Sequence, residues 1–129
     1  MNKPHTALHT LQAMLKTACA ALALAGGFAA GAHAADAANG KVLADSHNCA
    51  ACHGAGLNKP VSPEYPKLAG QHADYVYWAL RQYQMGNGNP HLGRNNPIMQ
   101  AQVQSLSQGD MKDIAAYVES LSGDLVQKK

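Results

Sequence analysis

The decisive stretch of this 129-residue chain reads Cys49-Ala50-Ala51-Cys52-His53. Because an α-helix has about 3.6 residues per turn, thiols at positions i and i+3 lie on the same side of one turn. The imidazole follows at i+4, on the same side as the first thiol. The stretch therefore brings two sulfur nucleophiles and one metal-ligating nitrogen together within a single helical turn.

Four kinds of site use this combination of side chains. A redox-active dithiol of the thioredoxin kind needs a βαβ context, and the periodicity of this chain is helical. A structural zinc site needs a fourth ligand, from His47, His72 or His91, and a second paired cluster is missing from the sequence. A disulfide between Cys49 and Cys52 is the third alternative. The fourth is haem c, because C-x-x-C-H is its attachment sequence, and we expect this cofactor.

The first 34 residues are predicted to be a signal peptide that is cleaved on export to the periplasm. They contain two lysines and no acidic residue, and the segment 17–31 is almost wholly apolar. The leader ends in Ala32-His33-Ala34, the small-x-small pattern that precedes a signal peptidase cut. Cys19 lies inside this leader and would leave with it. We therefore expect a mature domain of residues 35–129.

The predicted mature domain is electrically neutral and poor in large apolar residues. The formal net charge of +2 comes from the two leader lysines, so we expect no nucleic-acid partner. After the leader no apolar run approaches the roughly 20 residues of a membrane helix, and stable membrane insertion is not expected. The domain has no Phe and only 16 Leu, Ile and Val residues. A small domain with so little core material often needs a cofactor to complete it.

The apolar periodicity predicts three main helices, at 39–49, 71–85 and 107–123, the last with a serine as its N-cap. Between them lie two segments, 54–70 and 86–99, that are rich in Gly and Pro and are predicted to be loops. Loops of this length are uncommon in a small domain unless they form a site. The predicted fold class is all-α, with long loops around a covalent haem.

Four stretches of the sequence match one known family. They are the C-x-x-C-H sequence with Gly54, the segments 65–71 and 96–99, and Leu106-Ser107 followed by Asp113, Ala116 and Tyr117. With these stretches the chain resembles the small class I c-type cytochromes, most closely the single-haem relatives of the bacterial cytochrome c4 group. The resemblance covers the whole predicted mature domain. It implies one covalent haem c, transfer of one electron between redox partner proteins, and no enzymatic activity of the chain alone.

Together, the motif and the resemblance assign the residues that hold the cofactor. Cys49 and Cys52 would form thioethers with the haem, and His53 would ligate the iron. The resemblance places a second axial ligand eight residues before the serine that caps the last helix, which is Met99 in a loop ahead of Ser107. Bis-histidine ligation through a further histidine, at position 72 or 91, is the alternative. The two other methionines after the leader are expected to have no ligand role, and the one at position 111 to lie in the core.

Residues around these ligands are assigned by the resemblance alone. The carbonyl of Pro66 would accept a hydrogen bond from His53 and fix its tautomer. Arg94, or the amide side chains at positions 95 and 96, would contact a haem propionate. Gly40 would mark the crossing of the first and last helices, where it would make room for the ring of Tyr117.

The face of the second helix away from its apolar stripe is unusual. The core face is predicted to contain Tyr75 and Val76, which would turn Tyr77, Trp78 and Arg81 outward. An exposed aromatic pair is a candidate contact surface, so Tyr77 and Trp78 are a hypothetical docking patch for a redox partner or a second copy of the domain.

Two further functional hypotheses differ from a free electron carrier. The domain could be the haem subunit of a larger oxidoreductase, such as a sulfur-compound-oxidising complex or a peroxidase. It could also be a gas-binding haem protein, which requires an iron that Met99 does not hold. The sequence shows neither paired carboxylates nor a nucleophile with a neighbouring base, so we expect no catalytic residues.

Overall fold

Three helices of this domain begin at a side-chain cap, supplied by Asp36, Asn96 or Ser107. The computed structural model describes residues 34–125, and the predicted leader with Cys19 lies outside them. Within that range the helices are α1 (Ala37–Ser46), α2 (Ala50–His53), α3 (Ala73–Met85), α4 (Pro97–Val103) and α5 (Gln108–Ser120), with 3-10 turns at Ala55–Leu57 and Gly86–Gly88. No strand occurs in this range, and the predicted all-α class is confirmed.

The core is built around α5, which packs against both α1 and α3, while α3 also packs against α4. Met111, Ile114, Ala115 and Val118 are buried, at the spacing that puts residues on one face of a helix. A capping box starts this helix: the Ser107 hydroxyl accepts from the amide of the residue three positions on, whose carboxylate accepts from the Ser107 amide. None of the helices in the part of the chain described here is long and apolar enough to cross a bilayer.

The crossing of α1 and α5 depends on Gly40. A Cβ at this position would lie 1.9 Å from the backbone oxygen of Asp113, so only glycine lets the two backbones approach. The predicted crossing of the two helices at Gly40 is confirmed, and the atoms nearest to it are α5 backbone, whereas a role of Gly40 in admitting the Tyr117 ring stays a prediction. The buried Asp113 carboxylate adds to the crossing by accepting from the backbone N–H of Asp36 at 2.8 Å and from Nδ2 of Asn39 at 2.7 Å.

The first and last predicted helices are shorter than expected. The first does not continue to position 49, because Asn48 takes a left-handed conformation with φ of 52° and breaks it after Ser46. The chain then turns, and α2 forms as a separate helix carrying the C-x-x-C-H stretch. The last helix ends at Ser120 rather than 123, since Leu121 is extended with ψ of 140°.

The helix α4 lies partly within a segment that was predicted to be a loop. Asn96 is its N-cap and Pro97 takes its first position, where a missing N–H costs nothing. With only seven residues, α4 is too short to be stable by itself and depends on tertiary contacts. Its shortness also explains why periodicity did not reveal it.

Candidate functional site

A cavity of about 300 Å³ lies between α2, α3, α4, α5 and the segment 54–70. Its walls are mainly apolar side chains, among them Leu57, Leu80, Ile114 and Val118. All four residues predicted to bind the cofactor line this one cavity: Cys49, Cys52, His53 and Met99. The composition predicted a shortage of apolar side chains in the core. The cavity next to the motif is the space that these side chains leave unfilled.

His53 is held rigidly at the cavity wall. Its side chain is only 6% exposed, and Nδ1 donates to the carbonyl oxygen of Pro66 at 2.9 Å. A carbonyl can only accept, so this contact places the proton on Nδ1 and leaves Nε2 as the nitrogen available to the cavity. The ring of Tyr65 meets the imidazole edge-on, with 6.3 Å between ring centroids.

The two cysteines are free thiols that line the same wall. Burial raises the pKa of the Cys49 thiol above its ordinary value of 9.0, so this thiol is protonated at neutral pH. Within residues 34–125, no group of three or more His, Cys, Asp or Glu side chains is arranged to hold a metal ion, as a zinc site would require.

The segment that follows α2 folds back so that Pro66 reaches His53. Gly54 has φ of 78°, and a Cβ there would lie 1.5 Å from the carbonyl oxygen of Lys59. Leu57, buried and with φ of 54°, accepts at its carbonyl from the amides of residues 68 and 69 at 2.8 and 3.1 Å. These backbone contacts fix the return of the loop and hence the position of the Pro66 carbonyl.

Asp124, near the end of the described residues, contacts the same loop at the protein surface. The Asp124 carboxylate pairs with Lys67 and also accepts from Nδ2 of Asn58 at 3.2 Å. The hydrogen bond from Lys67, followed by that from Asn58, lowers the pKa of Asp124 below its ordinary value of 3.8. These contacts lie at the surface, so their contribution to the stability of the fold is modest.

Met99 lies in the first turn of α4 and not in a loop as predicted. Its backbone N–H donates to Oδ1 of the N-cap residue Asn96 at 3.0 Å, and its side chain is partly buried at the cavity. Next to it, Nε2 of Gln100 donates to the backbone oxygen of Arg94 at 2.9 Å and joins α4 to the preceding loop. Met111, by contrast, is fully buried in the core, as predicted.

Arg94 also lines the cavity, and its side chain is held by three residues of α3. Nε donates to Oε1 of Gln82 at 2.7 Å, and the guanidinium carbon lies 5.5 and 5.4 Å from the ring centroids of Tyr75 and Tyr83. The hydrogen bond to Tyr75, more than any other contact, raises the pKa of Arg94, which keeps the group charged at every accessible pH. Gln82 and Tyr83 were not predicted to be parts of this site, although their i+7 and i+8 spacing from Tyr75 suits one helix face.

The remaining aromatic and histidine predictions have mixed outcomes. Tyr75 was placed in the core, yet it is 53% exposed and lines the cavity. Tyr77 was predicted to point outward, but it is partly buried against the core, and its hydroxyl donates to Gln108 at 3.0 Å. Trp78 is 58% exposed, as expected. The histidines proposed as alternative ligands, at positions 72 and 91, are exposed and lie outside the cavity lining.

The donor set fits an iron porphyrin attached through sulfur. Two thiols can form thioethers, an imidazole with a fixed tautomer is a strong iron ligand, and a thioether is a soft second ligand. The apolar walls suit the faces of a porphyrin, and the cationic Arg94 at the cavity suits a carboxylate of the ring.

Comparison with known proteins agrees with this geometry. The Cytochrome c family model matches residues 37–122. The chain is 39% identical over 102 residues to cytochrome c4 of Stutzerimonas stutzeri, a match that covers 77% of this chain and 46% of that protein. It is 32% identical over 93 residues to cytochrome c-554(547) of Halothiobacillus neapolitanus, covering 68% of this chain and 99% of that relative.

A solved structure is similar as well. The crystal structure of reduced recombinant cytochrome c4 from Pseudomonas stutzeri matches with a TM-score of 0.60 and 34% sequence identity, over 71% of this chain and 48% of that one. The chain thus spans about half the length of the cytochrome c4 that it matches. Fold, cavity and similarity lead to one conclusion: the chain belongs to the cytochrome c family, as a class I c-type cytochrome of the c4 group whose cofactor is covalently attached haem c.

Proposed function

We propose that this chain is an exported carrier of single electrons between redox proteins, with one haem c attached through Cys49 and Cys52 and ligated by His53 and Met99. The observation that supports this most is that these four side chains line one cavity. His53 and Met99 would both ligate the iron and would leave no open position on it for a substrate. The chain therefore carries electrons and has no catalytic residues of its own.

Each side chain has a definite task in this proposal. The haem iron, when bound, supplies the reversible one-electron change. Pro66 holds the Nδ1 proton of His53, which makes the other ring nitrogen a better donor to the metal. The soft sulfur of Met99 favours the reduced iron and raises the reduction potential relative to two histidines. The mainly apolar walls of the cavity would surround the haem with a medium of low dielectric constant.

Arg94 is proposed to contact a haem propionate. Its guanidinium is already fixed by Gln82 and by the two tyrosine rings, so little side-chain entropy is lost when a carboxylate binds. A permanent positive charge there also makes reduction of the iron easier, since it opposes the positive charge of the oxidised state.

The partner of this carrier is proposed to be a redox enzyme. A relative from Stutzerimonas stutzeri strain A1501, 36% identical over 73 residues, bears the name thiosulfate dehydrogenase electron acceptor. That name describes an acceptor of electrons from an enzyme, which supports the same role here. The alternative is a haem subunit held permanently in such an enzyme, and a large partner that co-purifies in stoichiometric amount would establish it.

The location and the docking patch stay predictions. Export to the periplasm depends on the leader of residues 1–34. Cleavage of this leader would be established if the measured mass of the mature protein matched a chain that begins at Ala35. The docking patch is reduced to Trp78, because the Tyr77 side chain is engaged within the domain. If Trp78→Ala changed neither electron-transfer rates nor association state, the patch would be abandoned.

Optical spectra of the haem-loaded protein, with carbon monoxide added to the reduced form, test the proposal. We expect a low-spin spectrum with the weak far-red iron–sulfur charge-transfer band, insensitive to carbon monoxide. In Met99→Ala we expect the band to disappear and carbon monoxide to bind, while Met85→Ala serves as the matched methionine control and keeps the band. A wild-type iron that binds carbon monoxide readily would refute the carrier and support a gas-binding protein.

A further inference from the structure

Gln84, on α3, makes a set of contacts that the electron-carrier proposal does not use. Its side-chain Nε2 donates to two backbone oxygens, that of Val103 at 3.1 Å and that of Leu106 at 2.8 Å. Both acceptor residues are buried, with exposures of 1% and 6%. The Gln84 amide therefore donates to two carbonyls in the interior, where hydrogen bonds to buried polar groups matter most.

These carbonyls belong to the end of the helix that carries Met99. Val103 is the last residue of α4 and lies one helical turn after Met99. The final carbonyls of a helix have no partner within it, and a helix of seven residues cannot compensate by its own length. The Val103 carbonyl accepts from the Leu106 amide at 3.2 Å, and Gln84 adds a second donor that ties the end of α4 to α3.

The orientation of the Gln84 amide is itself fixed. Arg81, one turn earlier on α3, donates through Nη1 to Oε1 of Gln84. With its oxygen engaged in this way, the amide directs its nitrogen toward Val103 and Leu106. Arg81 was expected to point outward, and the contact shows why its side chain is half-buried instead.

The two ends of α4 are held differently. At the start, Asn96 caps the helix and Gln100 binds the Arg94 carbonyl, both within a few residues of Met99 in sequence. At the other end, the contact to Gln84 links α4 to a residue 19 positions earlier. This second contact joins the Met99 helix directly to α3, whose other residues form a wall of the cavity. Gln104, the C-cap of α4, adds a longer bond by donating through Nε2 to the backbone oxygen of Gln84 at 3.4 Å.

From these contacts we infer that Gln84 is a positioning residue for the axial methionine: it holds α4 where the Met99 sulfur stays on the iron. The inference rests on the proposed ligation by Met99. Loss of the Gln84 amide would leave the cofactor attached and the core intact, but the state in which Met99 has left the iron would become more populated. An external ligand that competes for the same position measures that population directly.

The test is an imidazole titration of the oxidised, haem-loaded protein. The loss of the far-red band reports the binding of imidazole. Gln84→Met keeps the length and approximate volume of the side chain and removes both donors. We expect imidazole to bind about tenfold more tightly than to the wild type, equivalent to about 1.4 kcal/mol in favour of the open state. Gln108→Met is the matched control, because Gln108 accepts from Tyr77 and makes no such donation to α4. It is expected to lower thermal stability without changing imidazole affinity.

The outcomes separate the inference from the proposed function. A wild type without the far-red band would refute Met99 ligation itself and the inference with it. A wild type with the band and a Gln84→Met variant with unchanged imidazole affinity would refute the inference alone. If Gln84→Met does not fold, Arg81→Ala decides, since this half-buried arginine orients the amide: about threefold tighter imidazole binding supports the inference, and unchanged binding overturns it.

Discussion

The two sides of the cavity are built by different means. The histidine side consists of one helical turn followed by a loop whose backbone folds back onto it, with His53 almost fully buried and bonded to the Pro66 carbonyl. The methionine side is a helix of seven residues whose ends are held by side-chain amides from Asn96 and Gln84. Backbone contacts cannot be removed by changing one side chain, whereas amide contacts can. We therefore expect substitutions on the histidine side to affect folding and those on the methionine side to affect ligation.

The largest effect is expected from Gly54→Ala on the histidine side. A Cβ at Gly54 would meet the Lys59 carbonyl at 1.5 Å in a backbone conformation that L-residues rarely adopt. We expect a loss of about 3 kcal/mol or more in the free energy of unfolding, measured by denaturant titration of the haem-loaded protein.

Gly56→Ala is the control for this effect. Gly56 also has positive φ, at 60°, but no atom lies within 4 Å of the position of its Cβ. Only the conformational cost of about 1–2 kcal/mol should appear there. Equal losses in the two variants would mean that the close approach of the backbone at Gly54 does not matter, and the comparison between the two sides would fail.

A smaller effect is expected from Asn96→Ala on the methionine side. The variant removes the N-cap of α4 and the partner of the Met99 amide, at a cost of about 1 kcal/mol in stability. The far-red band should weaken or become easier to displace with imidazole. Asn96→Asp should restore both properties, because aspartate caps equally well, and Asn95→Ala, at the exposed neighbour, should change neither. A stability loss with an unaltered band would show that ligation does not depend on this cap.

The smallest effect is expected from Asp124→Asn, which weakens the surface fastening of the histidine-side loop. Contacts with Lys67 and Asn58 lower the pKa of Asp124, so its contribution to stability is present above the unfolded pKa near 3.8. That contribution is lost as the pH falls through the lower pKa of the folded state. Urea midpoints of variant and wild type should therefore differ slightly at pH 7 and converge only as the pH falls below 3.8 through the lower pKa of the folded state.

Asp45→Asn is the matched control for the loss of the Asp124 contacts. Asp45 also pairs with a lysine, Lys41 at 2.6 Å, but within a single turn of α1 and away from the cavity. We expect this variant to have an equal or smaller effect, because its pair joins neighbours in sequence whereas Asp124 joins segments 57 residues apart. A larger effect of Asp45→Asn would show that the loop is held by its backbone contacts alone.

Much of the fold was predictable because it depends on local signals. The capping serine, the apolar spacing of the last helix and the Gly and Pro clusters each act over a few residues, and all correspond to observed features. The errors arose where a distant segment decided the outcome. Tyr75 lines the cavity and contacts Arg94 from a distant loop, Tyr77 turns inward to contact Gln108, and the helix around Met99 depends on α3.

Residues that are neighbours in the chain already define the chemistry of this protein. Two thiols and an imidazole within one turn select covalent haem, and a sparse apolar composition indicates that something other than side chains completes the core. Tertiary structure decided how the remaining groups serve that cofactor: the Pro66 carbonyl meets His53, Arg94 lies against two tyrosine rings, and Gln84 holds the end of α4. The physical reason is distance along the chain. Spacing within a turn fixes geometry directly, whereas contacts between distant segments exist only once the helices have packed.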